Sequence, residues 1–319
     1  MKQLTHRPPH AQAGAAVVMA LFIVVLCTLA ISPLIWNLFA TAKTISVAAA
    51  RDQADAVSVS GVDWARVILR EDARVSTTDT LTEPWAVPLA ESRINEGLMR
   101  KEENATETDD REVVLTGRIE DAQGRFNLRN LGAGNPRQQT WLAGFTKLCD
   151  LLSIPTEQRN LLVQTLGSMF MPKLTNPEEQ GTTPDELPML PALRWEEFRG
   201  KYGIAEETWN QLRPYVVILP RASGVNANTA SAEVLYAVVQ DMSFSDAQRV
   251  LAQRERVTFR NLADIRAVLS PNITINSDLI TVNSDYFLVE GTAQVEEALI
   301  RTRALLERRD QRVYVMWRQ

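Results

Sequence analysis

Histidine is nearly absent: the 319 residues hold two, His6 and His10, both ahead of the first hydrophobic run. If that leader is removed no imidazole is left, which excludes Ser–His and Cys–His nucleophiles and His-ligated metal sites. Cysteine is equally scarce. Cys27 lies inside the hydrophobic run and Cys149 far beyond it, so the two form no disulfide framework, and each is expected to be a small buried residue. A surplus of cations is missing too. With 34 Lys and Arg against 39 Asp and Glu, the net charge is −5, the wrong sign for bulk neutralisation of phosphates. Neither a phosphate loop nor a nucleophile–base pattern appears, so no catalytic residue is named and no enzyme is expected. A mean hydropathy of −0.14 excludes a multi-span membrane protein, and the length predicts two folding units.

One long hydrophobic run is present. Residues 15–42 carry no charge, and 15–36 alone cross a bilayer at about 1.5 Å per residue. The preceding leader holds Lys2 and Arg7 and no acid, which keeps it in the cytoplasm and exports the chain beyond the run. Three readings are open. The first is a plain signal anchor. The second is a secretory signal cleaved at Ala40-Thr41-Ala42, although the run exceeds the usual apolar core of about 7–15 residues. The third is cleavage after Gly14, which leaves the helix on the mature chain from Ala15. Residues 42–70 continue as an amphipathic stem, with Ile45, Ala48, Ala49, Val57, Val62, Ala65 and Leu69 set among Lys43, Arg51, Asp52, Asp55, Asp63, Arg66 and Arg70. Pro33 is expected to kink the helix or interrupt its hydrogen bonding.

Residues 77–110, with Pro84, Pro88 and an acidic stretch at 102–110, read as a loop-rich connection. Residues 112–131 read as a hairpin: Val113, Leu115, Arg118 and Ile119 lead to the turn Asp121-Ala122-Gln123-Gly124, and 125–128 return. Residues 135–283 are mainly helical, with helices at 141–152, 156–169, a stretch ending at Leu212, 225–239 and 245–253, followed by 259–265. A Pro-rich loop, 172–191, divides them.

The run Asn226-Ala227-Asn228-Thr229-Ala230-Ser231-Ala232-Glu233 looks like the start of a helix-hairpin-helix unit, with Thr229 or Ser231 as cap and Glu233 in the first turn. Such units grip DNA through a glycine-rich hairpin. Here the hairpin is Gln240-Asp241-Met242-Ser243, without glycine, and five acids cancel five arginines over 226–269. A membrane-anchored helix-hairpin-helix protein binding DNA at the cell surface is therefore the rival reading. At the C-terminus, Val295, Ala298, Leu299, Thr302, Leu305 and Leu306 suit a helix, while 286–289 and 313–317 read as strands.

The basic leader ending in glycine, the long helix and its stem resemble type IV prepilins and type II secretion pseudopilins. The segment GRIEDAQGRFNLRNL, residues 117–131, closely resembles the hairpin of the K-type minor pseudopilin of type II secretion systems (the general secretion pathway protein K family). The resemblance spans nearly the whole chain and implies an α+β fold. In it a long N-terminal helix, transmembrane and then amphipathic, packs on an antiparallel pilin-like sheet with a large inserted all-α domain containing helix-hairpin-helix-like units. The implied division is leader 1–14, transmembrane helix 15–42, stem, loop and first hairpin 43–134, inserted domain 135–283 and C-terminal strands 284–319. Those strands fall at 286–295 and 298–307, joined at Glu296-Glu297, and at 312–318.

The resemblance further implies processing by prepilin peptidase between Gly14 and Ala15, with methylation, and a single pass through the bacterial inner membrane with most of the chain in the periplasm. It places the chain at the pseudopilus tip, helping to start assembly and the export of folded proteins across the outer membrane. The implied partners are the I- and J-type minor pseudopilins, the pseudopilus, secreted cargo and the outer-membrane secretin. Two positions depart from the pattern: Ala15 replaces the usual Phe or Met, and Met19 stands where most pilins have a glutamate that pairs with the preceding subunit's amine. A subunit that enters first meets no such amine, and an unpaired carboxylate is costly in lipid, so Met19 suits the tip. The family often carries an acid-rich calcium loop, because hard cations need convergent oxygens. Here residues 164–169 are Gln-Thr-Leu-Gly-Ser-Met, with Glu178, Glu179, Asp185 and Glu186 downstream. By themselves these read as solvated carboxylates; calcium there is implied by the resemblance alone.

Overall fold

The computed structural model describes residues 13–95, 112–132, 134–170, 194–200 and 202–319. Its first element, α1, is one helix of 63 residues, Ala13–Val75, continuous through Pro33. The first half of α1 is apolar on every side and exposed; the second half buries a single stripe made of Ala50, Ala54, Val62, Ala65 and Leu69. Their spacing follows the helical repeat, and the two alanines let the backbone lie close to its neighbour.

That neighbour is a five-stranded antiparallel sheet. Its strands are β1 (Leu89–Asn95), β2 (Glu112–Asp121), β7 (Tyr286–Val295), β8 (Ala298–Arg309) and β9 (Arg312–Arg318), in the order β1-β2-β7-β8-β9. Side chains alternate across the sheet. Phe287, Val289, Ala304, Leu306 and Val313 pack with Val62, Ala65 and Leu69 of α1, and Val113 and Val295 with Ala50 and Ala54. The β8–β9 turn puts Asp310 and Gln311 at φ 51° and 60°, the left-handed pair that a tight two-residue hairpin requires.

Between β2 and β7 the described residues form six α-helices: α2 (Gln138–Leu151), α3 (Thr156–Met169), α4 (Glu206–Leu212), α5 (Ala232–Val238), α6 (Phe244–Arg254) and α7 (Leu262–Val268). Two short parallel pairs stitch them together, β3 (Phe126–Asn127) with β4 (Val216–Val217) and β5 (Val225–Asn226) with β6 (Ile280–Thr281). Their core is aromatic. Phe126 meets Trp141 edge-on at 5.3 Å, and Trp195 stacks on Trp209 at 4.4 Å. Helices α2 and α5 cross at Gly144, where a Cβ would stand 2.9 Å from the Ala237 carbonyl oxygen. Ala122, Val217 and Leu219 then press onto Tyr286, Leu288 and Leu305, so the helical part sits on the sheet face opposite α1.

The expected α+β architecture is present, and the three C-terminal strands fall where the resemblance places them. Three expectations are corrected. The connection after α1 contains β1, paired along β2. The hairpin at 112–131 does not form: β2 pairs with β1 and β7, and residues 126–127 pair with β4 instead. The cause lies in the turn, where Asp121 caps a 3-10 segment, Ala122–Gly124, by accepting from the Gln123 N–H. This sends Phe126 into the helical core. The helix expected over 225–239 begins at Ala232, because Val225 and Asn226 are taken by β6. Ser231 provides its cap, and Thr229 does not. Cys149 is buried as expected, whereas Cys27 is exposed on α1. The acidic stretch 102–110 and the loop 172–191 lie outside the described residues.

Candidate functional site

Two features of the chain go beyond what its core needs. The first is the outer half of α1. An 18-residue window there has a mean hydropathy of 2.7 with none of it buried, long and apolar enough to cross a membrane. Gly14 and Ala15 lie in its first turn. Met19 is 70 % exposed further along the same helix, an uncharged side chain at the position where a pilin glutamate is expected. The carboxylates named for calcium, Glu178, Glu179, Asp185 and Glu186, lie outside the described residues.

The second feature is a buried polar junction where α1, the sheet and the helical part meet. Asp121, at the end of β2, accepts from Thr229 Oγ1 at 2.6 Å, Ser284 Oγ at 2.7 Å, Gln123 N at 2.8 Å and Asn226 Nδ2 at 2.9 Å. Asn226 also donates to the Asp79 carbonyl oxygen. The Asp79 carboxylate in turn accepts from Arg308 Nη2 at 2.5 Å and from Ser284 N at 2.7 Å. Arg308 reaches back to Asp72 of α1 at 2.9 Å and lies over the Phe287 ring at 4.8 Å. Burial pushes the Asp121 carboxyl above its ordinary range against the pull of its four donors. Burial also lifts Asp79 to about 6 against the attraction of Arg308.

Asp72, Asp79 and Glu83 offer carboxylate oxygens within 4.8 Å of one another. The arrangement is already satisfied without a metal. The Arg308 guanidinium engages Asp72 and Asp79, and Glu83 accepts from Thr80 N and Trp85 Nε1. A cation of the protein's own holds the position a dication would take, so this is a clasp between α1 and β8.

The helical hairpin of α5 and α6 turns through Asp241 at φ 60° and starts α6 with a capping box between Ser243 and Asp246. Two of the arginines that would face DNA are used internally. Arg254 donates to the carbonyls of Ala227 and Ala230, and Arg266 to that of Ile275.

Junction residues are poorly visible in the sequence. Asp121 reads as a turn residue and Asn226 as the start of a helical unit; neither Asp79 nor Arg308 carries a signal. Buried Asp, Asn and Arg become recognisable only once the fold brings their partners together.

A helix whose second half packs on an antiparallel sheet and whose first half stands bare is the architecture of a pilin-like subunit, here enlarged by helices inserted between two neighbouring strands. Residues 124–221 and 225–283 match two family models, each described as type II secretion system (T2SS), protein K. The chain belongs to the protein K family of type II secretion systems. It is 27 % identical over 235 residues to type II secretion system protein K of Pectobacterium carotovorum subsp. carotovorum, covering 64 % of this chain and 69 % of that protein. It is 24 % identical over 271 residues to protein K of Pseudomonas aeruginosa, covering 79 % and 75 %. Among solved structures it resembles a chain from the GspK-GspI-GspJ complex of the enterotoxigenic Escherichia coli type 2 secretion system. The TM-score is 0.63 at 19 % identity, over 84 % of this chain and 95 % of that one.

Proposed function

We propose that this chain is a minor pseudopilin that caps the pseudopilus of a type II secretion system and helps start its assembly. The observation that carries the reading is the division of α1, whose apolar first half is free of the chain's own sheet. Such a surface suits first a single pass through the inner membrane and later a bundle of like helices. Cleavage between Gly14 and Ala15 by prepilin peptidase then leaves this helix as the start of the mature protein. The helical part adds bulk beside the sheet, which blocks a further subunit from stacking above and suits the tip.

The solved complex joins GspK to GspI and GspJ, which supports I- and J-type partners for this chain. Its role on this reading is mechanical, with the secreted cargo and outer-membrane channel meeting the cap in the periplasm. N-terminal sequencing of mature protein from its native host tests the proposal. A chain starting at Ala15 is expected; a start at Lys43 means that the helix is discarded and overturns the reading.

A further inference from the structure

Among the described residues, three buried side-chain polar atoms have no hydrogen-bond partner: Trp195 Nε1, Trp317 Nε1 and Arg303 Nε. All three are N–H donors, and all three residues line one cavity of about 30 Å³. Arg303 Nε lies 2.8 Å from Glu290 Oε1, but off the line that a hydrogen bond requires. Trp195 is 5 % exposed and stacks on Trp209 at 4.4 Å and Phe198 at 5.6 Å, so its ring cannot turn the N–H out to water. The cavity lies at a seam: Trp195 and Arg213 come from the helical part, Arg303 and Trp317 from β8 and β9. Arg213, an exposed residue, has no ion-pair partner among the described residues.

What is missing here is an acceptor. Buried donors are almost always satisfied, by protein or by something bound. A water molecule would accept from two of them but bring two hydrogens of its own. The one carboxylate on the wall, Glu196, is already engaged by Arg303. A monatomic anion accepts from every side and brings no hydrogen. The space holds about one or two water-sized particles, too small for sulfate or an organic acid. Arg125, Arg194 and Arg303 on the wall are each paired with a carboxylate, which leaves the exposed Arg213 as the cation that balances a negative charge. We propose that this cavity binds a halide ion, chloride, which joins the helical part to the last two strands.

The test uses the full-length protein in detergent micelles, with thermal unfolding compared in sodium chloride and sodium methanesulfonate at equal ionic strength. Chloride is expected to raise the midpoint saturably, by about 3 °C at ten times its dissociation constant. Trp195→Phe and, separately, Trp317→Phe remove one donor each while keeping a ring. Both should abolish the chloride-specific rise, read against each variant's own midpoint in methanesulfonate, which the smaller ring lowers. Should Trp195→Phe fail to fold, Trp317→Phe on the edge strand decides alone. In crystals grown with bromide, an anomalous peak is expected between the two indoles. Equal midpoints in the two salts overturn the proposal, and so does a chloride rise that survives substitution of the indoles; the cavity then holds water.

Discussion

Replacing Asp121 by alanine should be among the most damaging single changes outside the hydrophobic core. The carboxylate is 7 % exposed and accepts from Thr229, Ser284, Gln123 N and Asn226. Each donor left without an acceptor costs about 1–3 kcal/mol. Asn226 and Thr229 have second acceptors, since Asn226 Nδ2 also donates to Asp79 O and Ser284 Oγ, and Thr229 Oγ1 to the Asn226 carbonyl oxygen, which leaves the Ser284 hydroxyl and the Gln123 N–H stranded. Counting two donors as stranded gives a loss of about 4 kcal/mol, a large share of the roughly 5–15 kcal/mol that hold a folded chain together.

Asp121→Asn separates hydrogen bonding from packing. Its amide would face two hydroxyls, which can rotate to accept, and Asn226 Nδ2, which cannot. The Asn226 amide is locked because its Oδ1 accepts from Asn228 N at 3.0 Å. One donor–donor contact then remains, for a loss of about 2 kcal/mol. Urea unfolding of the full-length protein in micelles, followed by tryptophan fluorescence, measures both. If asparagine costs as much as alanine, or alanine less than about 1 kcal/mol, the accounting of donors at this junction is wrong.

Two glycines should respond with opposite signs. Gly144→Ala drives a methyl to 2.9 Å from the Ala237 carbonyl oxygen and should cost about 1–3 kcal/mol, whereas Gly167→Ala in α3 meets nothing within 4 Å and should stabilise by about 0.5–1 kcal/mol; the same urea titration reads both. The pH dependence is set by Asp79, whose carboxyl is raised from 3.8 to about 6. Between those values the folded state holds more protons than the unfolded one, so this group's contribution is complete below pH 3.8 and is lost as pH rises through about 6. Asp72 and Asp121 are shifted in the same direction. The midpoint should therefore fall less steeply from pH 5 to pH 7 in Asp79→Asn than in the parent, and an equal or steeper fall would contradict the assignment. In a Cys27→Ser background, Cys149, whose thiol burial pushes up to about 12, should resist iodoacetamide at pH 8 and react on unfolding; modification of the native protein would show that its site opens.

The long helix, most of the other helices and the C-terminal strands are legible because each is written in local periodicity. The stem shows it best: Val62, Ala65 and Leu69 mark its buried face in the sequence, and the same residues meet the sheet. Local pattern fails where a distant partner outweighs it. Arg125–Leu128 has the look of a returning strand, yet the Tyr215 carbonyl claims Phe126 N at 2.8 Å, and no local rule announces a partner ninety residues away. Val225 and Asn226 are likewise lost to Ile280 and Thr281. At β1 the cause is compositional, since a segment with Pro84 and Pro88 close before it reads as loop although Leu89 onward pairs along β2. Of the site, the apolar face of α1 is plain from hydropathy, whereas the junction joins residues from five separate stretches of chain.

That dispersion bears on how the helical part is held on the sheet. The apolar contact between the two parts, with Val217 and Leu219 against Tyr286, Leu288 and Leu305, rewards proximity but tolerates sliding, because dispersion has little directional preference. Hydrogen bonds do have direction. Asp121 and Asp79 accept from the helical part, the segment before β7, and β8 at once, so a small rotation would break several bonds together and strand buried donors. The helical part is therefore expected to occupy one orientation on the sheet and to detach only in an all-or-none step. Asp121→Ala should reveal it twice, as lower stability and as faster hydrogen exchange along the β2–β7 ladder next to the junction; unchanged exchange there would mean that the apolar contact alone sets the orientation.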